Sequence, residues 1–474
     1  MNINAVLIES STAILGIFLL VLGLVLPKDK KNNIGYVGAL GLVIILVFTF
    51  FMGRTEITFQ KGLYSLDSLS SYFKQLFLIA GILVTLMSIS YVKKLPDSRS
   101  EYFALSVFSI VGMMLLASSN DFITLYIGLE LMTICFIILT SYEKRNAKSA
   151  EAGIKYVLLS AISSSVLLYG MSLLYGMSGS TAYSDIFIYL KTNFSAPIVI
   201  VACIMIISGL SFKISAVPFH MWSPDINEGA PTPIAAFLAI GSKVAAFAVI
   251  IRLFVQVLPP VFSTFSVLII SLSLLSMIIG NIIAIPQTNI KRMLAFSSVA
   301  QAGYILLGIV AHSKAGIFAM LYYILLYIFA NVGVFSSIIA FSNATGKEEI
   351  KDFGGLWKRS PITTVTMLIS LLSMAGIPPA AGFVGKFYLF SEIVKQGYLW
   401  LAFLAMGMSV VSVYYYIVVI RTILDGETED TTVITVPISL KITMIVSIIM
   451  TLLLGIYPGP VSGWLMNVAN VFVK

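Results

Sequence analysis

Four ionisable side chains, Glu130, Lys213, Lys243 and Lys386, lie inside apolar stretches long enough to cross a membrane. An ionisable group near the bilayer centre costs at least ~2.5–3.5 kcal/mol on insertion scales, so such residues usually face protein or water and mark proton or ion pathways. Burial disfavours the charged form of a lysine and makes its proton easier to release. We therefore predict that these four residues, joined by water, form a proton relay.

The depth of two of these residues supports this prediction. Glu130 lies about eight residues beyond Phe122, and Lys243 about eleven beyond Thr232, which places them ~12 and ~16 Å into a hydrocarbon core ~30 Å thick. Neither side chain can easily reach a headgroup. Structural ion pairs are the alternative, but three of the four groups are lysines, so pairing alone leaves two cations without a carboxylate among the four.

Other charged residues lie closer to the ends of the apolar stretches, where snorkelling or interfacial anchoring is the expected role. These residues are Lys74, Asp121, Lys155, Arg252, Glu392 and Lys441. For His220 two roles stay open: it titrates near neutral pH, or it caps the end of a broken helix.

The composition places the chain in a lipid bilayer. Of its 474 residues 59% are apolar and 11% charged, with a mean hydropathy of +1.00, whereas soluble domains carry about 25% charged residues. Cys135 and Cys203 are far apart in sequence, and His220 and His312 are the two histidines, so neither a disulfide framework nor a metal or haem site is expected. We expect no cofactor and no redox reaction in this chain.

The apolar stretches predict an all-α polytopic membrane protein, because a spanning helix needs roughly 20 apolar residues. About fourteen stretches qualify, and the twelfth is too long for one straight span. The predicted spans are 5–26, 34–52, 70–91, 102–118, 122–140, 153–176, 197–217, 232–254, 261–284, 293–311, 315–341, 361–394, 398–420 and 434–456.

Two of these spans carry helix-breaking residues beside a lysine. SGLSFKISAVPFHMW (208–222) places Pro218 after Lys213, and LSMAGIPPAAGFVGKFYLF (372–390) places Pro378 and Pro379 before Lys386. Interrupted spans at corresponding positions are typical of inverted-repeat transporters, whose ion sites lie at the repeat interface. We predict two inverted five-helix repeats, spans 4–8 in 101–256 and spans 9–13 in 257–424, with three helices before them (1–100) and one after (425–474).

The loop charges predict the orientation. Sixteen Lys and Arg residues fall in one set of alternate loops, and six, Arg54, Lys61, Lys191, Lys314, Lys395 and Lys474, fall in the other set or at the C-terminus. Because cytoplasmic loops carry the excess, both termini are expected outside a bacterial cytoplasmic (inner) membrane. The net charge of +8 is scattered over short loops and does not indicate nucleic-acid binding.

Three stretches carry a family resemblance: PFHMWSPDINEGAPTPIAAFLAIGSKVAAFA (218–248), QTNIKRMLAFSSVAQAGYILLG (287–308) and GIPPAAGFVGKFYLF (376–390). They resemble the subunit N family of the proton-pumping NADH:quinone oxidoreductase, respiratory complex I, over about residues 100–420. The resemblance implies fourteen membrane helices, Glu130 and Lys213 as the pair of a first half-channel, Lys243 as the central lysine, and Lys386 as the lysine of a second half-channel.

The resemblance also implies a place in a larger assembly. The chain would be a non-redox subunit of a translocase, with NADH, flavin, iron–sulfur clusters and quinone held by partner subunits and with further antiporter-like membrane subunits beside it. One residue departs from the family pattern. Gln301 stands where related sequences often have a histidine, and an amide orders water but does not titrate.

Three alternatives stay open. Multi-subunit sodium/proton antiporters share the fold, but their loop after the first break typically resembles Leu-Pro-Asp-Ala-His, and here it reads Ser-Pro-Asp-Ile-Asn-Glu (223–228). A membrane-bound hydrogenase or an F420-type dehydrogenase could employ a similar subunit. A scaffold subunit that only assembles partners would tolerate neutral residues at Lys213 and Lys386.

Overall fold

The structure is a computed structural model that describes residues 6–27, 31, 33–52, 57–59, 62–94, 99–426, 430 and 432–472. The first five residues and several of the counted loop cations lie outside these ranges. Those cations are Lys28, Lys30, Arg54, Lys61 and Lys474.

Three long helices open the chain: α1 (Leu7–Val25), α2 (Ile34–Met52) and α3 (Ser68–Val92). Between α2 and α3 a short antiparallel hairpin pairs β1 (Ile57–Phe59) with β2 (Tyr64–Leu66). The sequence analysis did not predict this hairpin. We call the face of the bundle at which α1 and α3 begin the N-face.

The next eight helices contain the first broken crossing. They are α4 (Arg99–Ser118), α5 (Phe122–Thr140), α6 (Ala147–Ser178), α7 (Tyr183–Asn193), α8 (Pro197–Ile214), α9 (Trp222–Gly229), α10 (Thr232–Phe237) and α11 (Lys243–Gln256). A single π-helical turn, Leu238–Ser242, joins α10 to α11, so that both form one crossing.

The remaining nine helices contain the second broken crossing. They are α12 (Phe262–Ala284), α13 (Ile290–Val310), α14 (Lys314–Thr345), α15 (Leu356–Arg359), α16 (Pro361–Ala375), α17 (Ala381–Lys395), α18 (Leu399–Asp425), α19 (Ile438–Ile456) and α20 (Gly459–Phe472). Crossings alternate in direction, so α4 ends at the N-face whereas α12 begins there. The two five-crossing units therefore run in opposite directions.

The prediction of an all-α membrane protein with about fourteen crossings is confirmed. Thirteen helices in the described residues are long and apolar enough to span, and α16 with α17 supplies one further, interrupted crossing. Four helices were not predicted, α7, α9, α15 and α20, because at 11, 8, 4 and 14 residues they are shorter than the roughly 20 residues required of a span.

The centre of the molecule consists of three crossings, α10–α11, α13 and α14. Their most apolar windows are buried throughout, whereas fewer than half of the residues in those of α1, α2, α6 and α18 are buried. Helices that are apolar on all sides belong in the interior. The central crossings include Lys243 and Gln301, so these polar groups lie deep in protein.

Local sequence signals explain where the helices begin. Asp121 accepts hydrogen bonds from the backbone N–H groups of Ile123 and Thr124, and Asn289 accepts from those of Lys291 and Arg292. Pro197 and Pro361 occupy the first turns of α8 and α16, where a missing N–H costs nothing. These signals set the residues at which α5, α8, α13 and α16 begin.

Candidate proton-transfer site

The first broken crossing ends α8 at Ile214 and resumes as α9 at Trp222. The break has its own bonds: the backbone N–H of Val217 donates to Ser276 Oγ at 2.9 Å, and the Trp222 indole donates to the Phe212 carbonyl at 2.8 Å. Freed backbone groups at membrane depth must be satisfied by protein or water. Here side chains on neighbouring elements bond these groups, so specific hydrogen bonds stabilise the break.

Lys213 lies in the last turn of α8 and is 2% exposed. Its ammonium donates to Thr133 Oγ1 on α5 at 2.8 Å. Glu130, one turn before Thr133, is half-buried, and its Oε1 is buried with no hydrogen-bond partner in the described residues. The two charges interact electrostatically, but the structure contains no direct ion pair between them within 4.0 Å.

Lys243 follows the π-helical turn directly and is 3% exposed. Single π turns inside α-helices occur frequently at functional sites. In the described part of the chain its ammonium makes one hydrogen bond, to Ser298 Oγ on α13 at 2.5 Å. A buried lysine with one neutral partner is poorly compensated for its charge, which suits a group that gives up its proton.

Lys386 lies beyond the second break but reaches back to it. Its ammonium donates to the carbonyls of Met374 and Ala375 at 3.2 and 3.0 Å, and to Ser409 Oγ at 2.8 Å. It therefore caps the carbonyl end of α16, where a helix dipole favours a cation. A Cβ on Gly376 would stand 2.9 Å from the lysine Cδ, and Gly376 has a φ of 86°, so glycine is required at this turn.

Gln301 lies between the sites of Lys243 and Lys386. Its amide nitrogen donates to the Met374 carbonyl at 3.2 Å, the oxygen that Lys386 also bonds, and its Oε1 accepts from the Tyr323 hydroxyl. Ser298, the partner of Lys243, lies one turn before Gln301 on α13. The amide thus shares an acceptor with Lys386 and lies one helical turn from the partner of Lys243, although it cannot titrate.

His220 lies in the first break and is 6% exposed, with its ring edge-on to Phe296. Neither ring nitrogen has a hydrogen-bond partner among the described residues, so the imidazole does not cap the broken helix. Lys243 is close enough to act on it electrostatically. Of the two roles left open for His220, the capping role is wrong.

Snorkelling is wrong for two of the residues near span ends. Lys74 is fully buried and pairs with Glu9 at 2.9 Å, while the Tyr64 hydroxyl bonds both. Arg252 is also fully buried: it pairs with Asp67 at 2.8 Å and donates to the carbonyl of Ala117.

The other residues near span ends fall into a buried group and a more exposed group. Asp121 is the buried N-cap of α5, and Glu392 is 6% exposed, whereas Lys155 is half-buried and Lys441 is exposed. The distance of a charge from its span end therefore did not distinguish anchors from buried pairs in this chain.

An ion-pair cluster on the face opposite the N-face holds α9 in place. Asp225 bonds Lys155 of α6 and Arg292 of α13, both at 2.7 Å, and Glu228 bonds Lys148 at 2.9 Å and Arg292 at 3.1 Å. Burial opposes ionisation, but the bonds from Lys155 and Arg292 hold the pKa of Asp225 below its usual range. Bonds from Lys148 and Arg292 lower the pKa of Glu228 in the same way, again against burial. We call these five residues the α9 clamp.

The clamp gives a prediction for Asp225→Asn. Because the folded-state pKa values of both carboxylates are depressed, the clamp is complete above their unfolded values near 4 and is lost only as the pH falls through the lower folded values. At neutral pH the amide removes two partly exposed ion pairs, each of about 0.2–1 kcal/mol. We expect backbone hydrogen exchange in 222–230 to become about two- to thirtyfold faster in the assembled protein, since ~1.4 kcal/mol is a factor of ten.

Glu151→Gln is the matched control for this prediction. Glu151 pairs with Lys155 but does not contact α9 through any ion pair of the described residues. Its replacement should leave exchange in 222–230 unchanged. Equal acceleration in both variants, or none in Asp225→Asn, would show that the clamp does not hold α9.

The hydroxyl partners of the lysines were not predicted from the sequence. Thr133, Ser298 and Ser409 each accept a hydrogen bond from one of them. Helical spacing could have indicated two: Thr133 is three residues after Glu130, and Ser298 three before Gln301, so each shares a helix face with a residue already singled out.

No group of three or more histidine, cysteine or carboxylate side chains that could hold a metal occurs in the part of the chain that the structure describes. Cys135 and Cys203 are both buried and free. The groups that hydrogen-bond Lys213, Lys243 and Lys386 are hydroxyls and backbone carbonyls.

Taken together, two oppositely directed units with interrupted crossings and a buried line of lysines define an antiporter-like membrane subunit. A family model described as "NADH:quinone oxidoreductase/Mrp antiporter, TM" matches residues 119–412. The chain belongs to this family.

Relatives and solved structures agree with this assignment. The chain is 49% identical over 472 residues to the NADH-quinone oxidoreductase subunit N of Moorella thermoacetica, covering 99% of each chain, and 49% identical over 477 residues to that of Heliobacterium modesticaldum, covering 100% and 99%. A chain of respiratory complex I from Thermus thermophilus matches with a TM-score of 0.82 at 28% identity, covering 96% and 99%. A chain of the Mrp complex from Dietzia matches in fold, with a TM-score of 0.86 at 19% identity over 100% and 98%.

Proposed function

We propose that this chain is the proton-translocating membrane subunit of an NADH:quinone oxidoreductase of the complex I type. The observation that carries the proposal is the buried line of polar groups from Lys243 through Ser298 and Gln301 to the Met374 carbonyl and Lys386. Hydrogen bonds form its two ends, and one turn of α13 separates Ser298 from Gln301. This line crosses from the first five-crossing unit to the second inside the most buried part of the molecule. A subunit that only filled space would not need it.

The proposed relay begins at Glu130 and Lys213. A carboxylate near Lys213 favours the charged lysine, and the charged form loses support when the two groups separate. In the structure Lys213 bonds Thr133 and not Glu130. A movement of α5 against α8 would therefore change how strongly the carboxylate stabilises the charged form of Lys213. A neighbouring subunit that biases Glu130 could thereby drive the proton from Lys213 to Lys243 and on to Lys386.

The proposal includes the surroundings of the chain. Redox chemistry with NADH, flavin, iron–sulfur clusters and quinone takes place in partner subunits, and further antiporter-like subunits lie beside this one in the membrane. The excess of basic loop residues supports a bacterial cytoplasmic membrane with the N-face, and both termini, outside. The segments 1–100, 101–256, 257–424 and 425–474 act as an N-terminal helix group, two half-channel units and a closing helix.

The sodium/proton antiporter reading is less well supported. The likeness to the Mrp complex is 19% identical and is one of fold alone, whereas relatives at 49% identity carry the NADH-quinone oxidoreductase name. The stretch Ser223–Glu228, expected to be a loop, forms most of helix α9 in the structure, and its sequence also departs from the antiporter pattern.

Lys213→Ala tests the proposal in inverted membrane vesicles. Loss of the ammonium should lower NADH-driven proton uptake, and the coupled NADH oxidation with it, about tenfold, because a positioned proton-transfer group contributes roughly 100-fold or more and water in the space left by the side chain restores part of the path. Proton uptake, NADH oxidation and complex assembly are measured in one preparation.

Lys441→Ala is the matched control, since Lys441 is an exposed lysine on a spanning helix. It should change neither uptake nor turnover. An assembled Lys213→Ala complex with normal proton uptake would contradict the relay and favour a scaffold role.

A further inference from the structure

A buried carboxylate, Glu392, lies between Lys386 and the N-face and has no role in the relay as described so far. It is 6% exposed and belongs to the same buried stripe of α17 as Lys386 and Leu389. Six residues separate Glu392 from Lys386, about 9 Å along the helix axis. A buried carboxylate is costly unless it is bonded or can take up a proton.

The partners of Glu392 compensate its charge weakly. Ser313 Oγ donates to it at 2.7 Å and Gln396 Nε2 at 3.2 Å. Its nearest cation is Lys395, whose Nζ lies 3.6 Å from Oε2 and whose side chain is 71% exposed. Among the described residues the carboxylate therefore has two neutral donors and one solvated lysine, and no buried cation pairs with it.

Ser313 connects Glu392 to a cavity that opens at the N-face. The cavity has a volume of about 750 Å³, and Ser313 and His312 form part of its wall together with the polar residues Asp67, Asn120 and Gln256. A space of this size with several polar groups on its wall holds many water molecules. The Glu392 carboxylate thus stands one hydroxyl away from a water-accessible volume.

The path between Lys386 and Glu392 is closed in the structure. Leu389 is buried between them on the same stripe of α17, and the rings of Tyr304 and Phe390 pack against each other with their centres 6.1 Å apart. Tyr304 also lies under the Lys386 ammonium, 4.9 Å from its ring centre. The Lys386 ammonium is turned back to the carbonyls of the break and does not bond Glu392, so transfer requires water to enter this apolar step briefly.

We propose that Glu392 is the outlet carboxylate of the second half-channel, which takes the proton from Lys386 and passes it to water in the N-face cavity beside Ser313. The inference rests on the proposed function. In the first step the Lys386 ammonium becomes a neutral amine and the Glu392 carboxylate a neutral acid. In the second step the acid gives its proton to cavity water and returns to the carboxylate.

The test compares Glu392→Gln with Lys386→Ala in inverted vesicles. The glutamine keeps an oxygen for the bond from Ser313 but cannot carry a proton, so coupled proton uptake should fall about tenfold while NADH oxidation with an acceptor that bypasses the membrane arm stays normal. Glu392→Asp should restore a large part of the uptake. Lys395→Gln is the matched control; it removes the neighbouring cation and should leave uptake unchanged.

The outcomes separate the two proposals. Loss of uptake in Lys386→Ala with normal uptake in Glu392→Gln overturns the outlet alone, and normal uptake in both assembled variants overturns the relay itself. If the Glu392→Gln complex fails to assemble, a Gln256→Cys variant tests the outlet instead. Labelling this cavity residue with a bulky maleimide from the N-face should slow uptake severalfold, and a full label without effect overturns the outlet; the native cysteines are buried.

Discussion

Replacing Lys243 by methionine should lower NADH-driven proton uptake about 100-fold, which is the cost expected for a positioned proton-transfer group that water cannot replace. The methionine has nearly the length and volume of lysine, so the packing of this 3% exposed site is retained while its one ionisable group is lost. Unlike the Lys213→Ala change, it leaves no space for water. Uptake, quinone-linked NADH oxidation and assembly are the measurements.

Lys243→Arg distinguishes a relay from a structural charge. An arginine keeps a cation beside Ser298 but does not release its proton in proteins. A relay predicts that Lys243→Arg is as inactive as Lys243→Met. Uptake close to that of the unchanged protein in Lys243→Arg would mean that the site needs only a positive charge, and the relay would be abandoned at this residue.

Replacing Lys74 by methionine should destabilise the N-terminal helices by about 3–5 kcal/mol, because breaking one side of a buried ion pair leaves an uncompensated charge. Glu9 is 4% exposed and its Oε2 already has no partner in the described residues, so it would keep only the Tyr64 hydroxyl. Protease digestion of vesicles, followed at α1–α3 by mass spectrometry, should show cleavage faster by two orders of magnitude or more.

The double variant Glu9→Gln with Lys74→Met supplies the control for this effect. Removing both charges together is often nearly neutral, so most of the stability should return. Lys441→Met, at an exposed lysine, should have no effect. If the double variant is as labile as the single one, the cost comes from packing around Lys74 and not from its charge.

The residues that could be predicted from the sequence are those whose placement in a membrane helix costs the most free energy. Glu130, Lys213, Lys243 and Lys386 stand out because a charge in an apolar run is costly and rare. The prolines at 218 and 378 mark the breaks for a similar reason, since each removes a backbone donor. Both kinds of residue are visible without knowledge of any neighbour.

The hydroxyl partners and the buried pairs could not be predicted in this way. Serine and threonine are common in membrane helices, so Ser298 and Thr133 carry no signal until a lysine is known to face them. Lys74 and Arg252 lie at depths from which a long side chain can reach the headgroups, and their carboxylate partners, Glu9 and Asp67, belong to other helices or helix caps. Those contacts are products of the tertiary fold.

The three bonds of Lys386 have a consequence for its neutral form. An ammonium has three N–H donors, and here all three are in use, on two backbone carbonyls and on Ser409 Oγ. A neutral amine has two N–H donors and a lone pair, and a carbonyl cannot turn into a donor. Ser409 can: its hydroxyl, which now lies 3.4 Å from the Ala375 carbonyl, needs only to rotate toward the nitrogen. Loss of the proton therefore reverses the direction of the hydrogen bond between Lys386 and Ser409 of α18. The hydroxyl orientation on this peripheral helix thus depends on whether Lys386 is protonated.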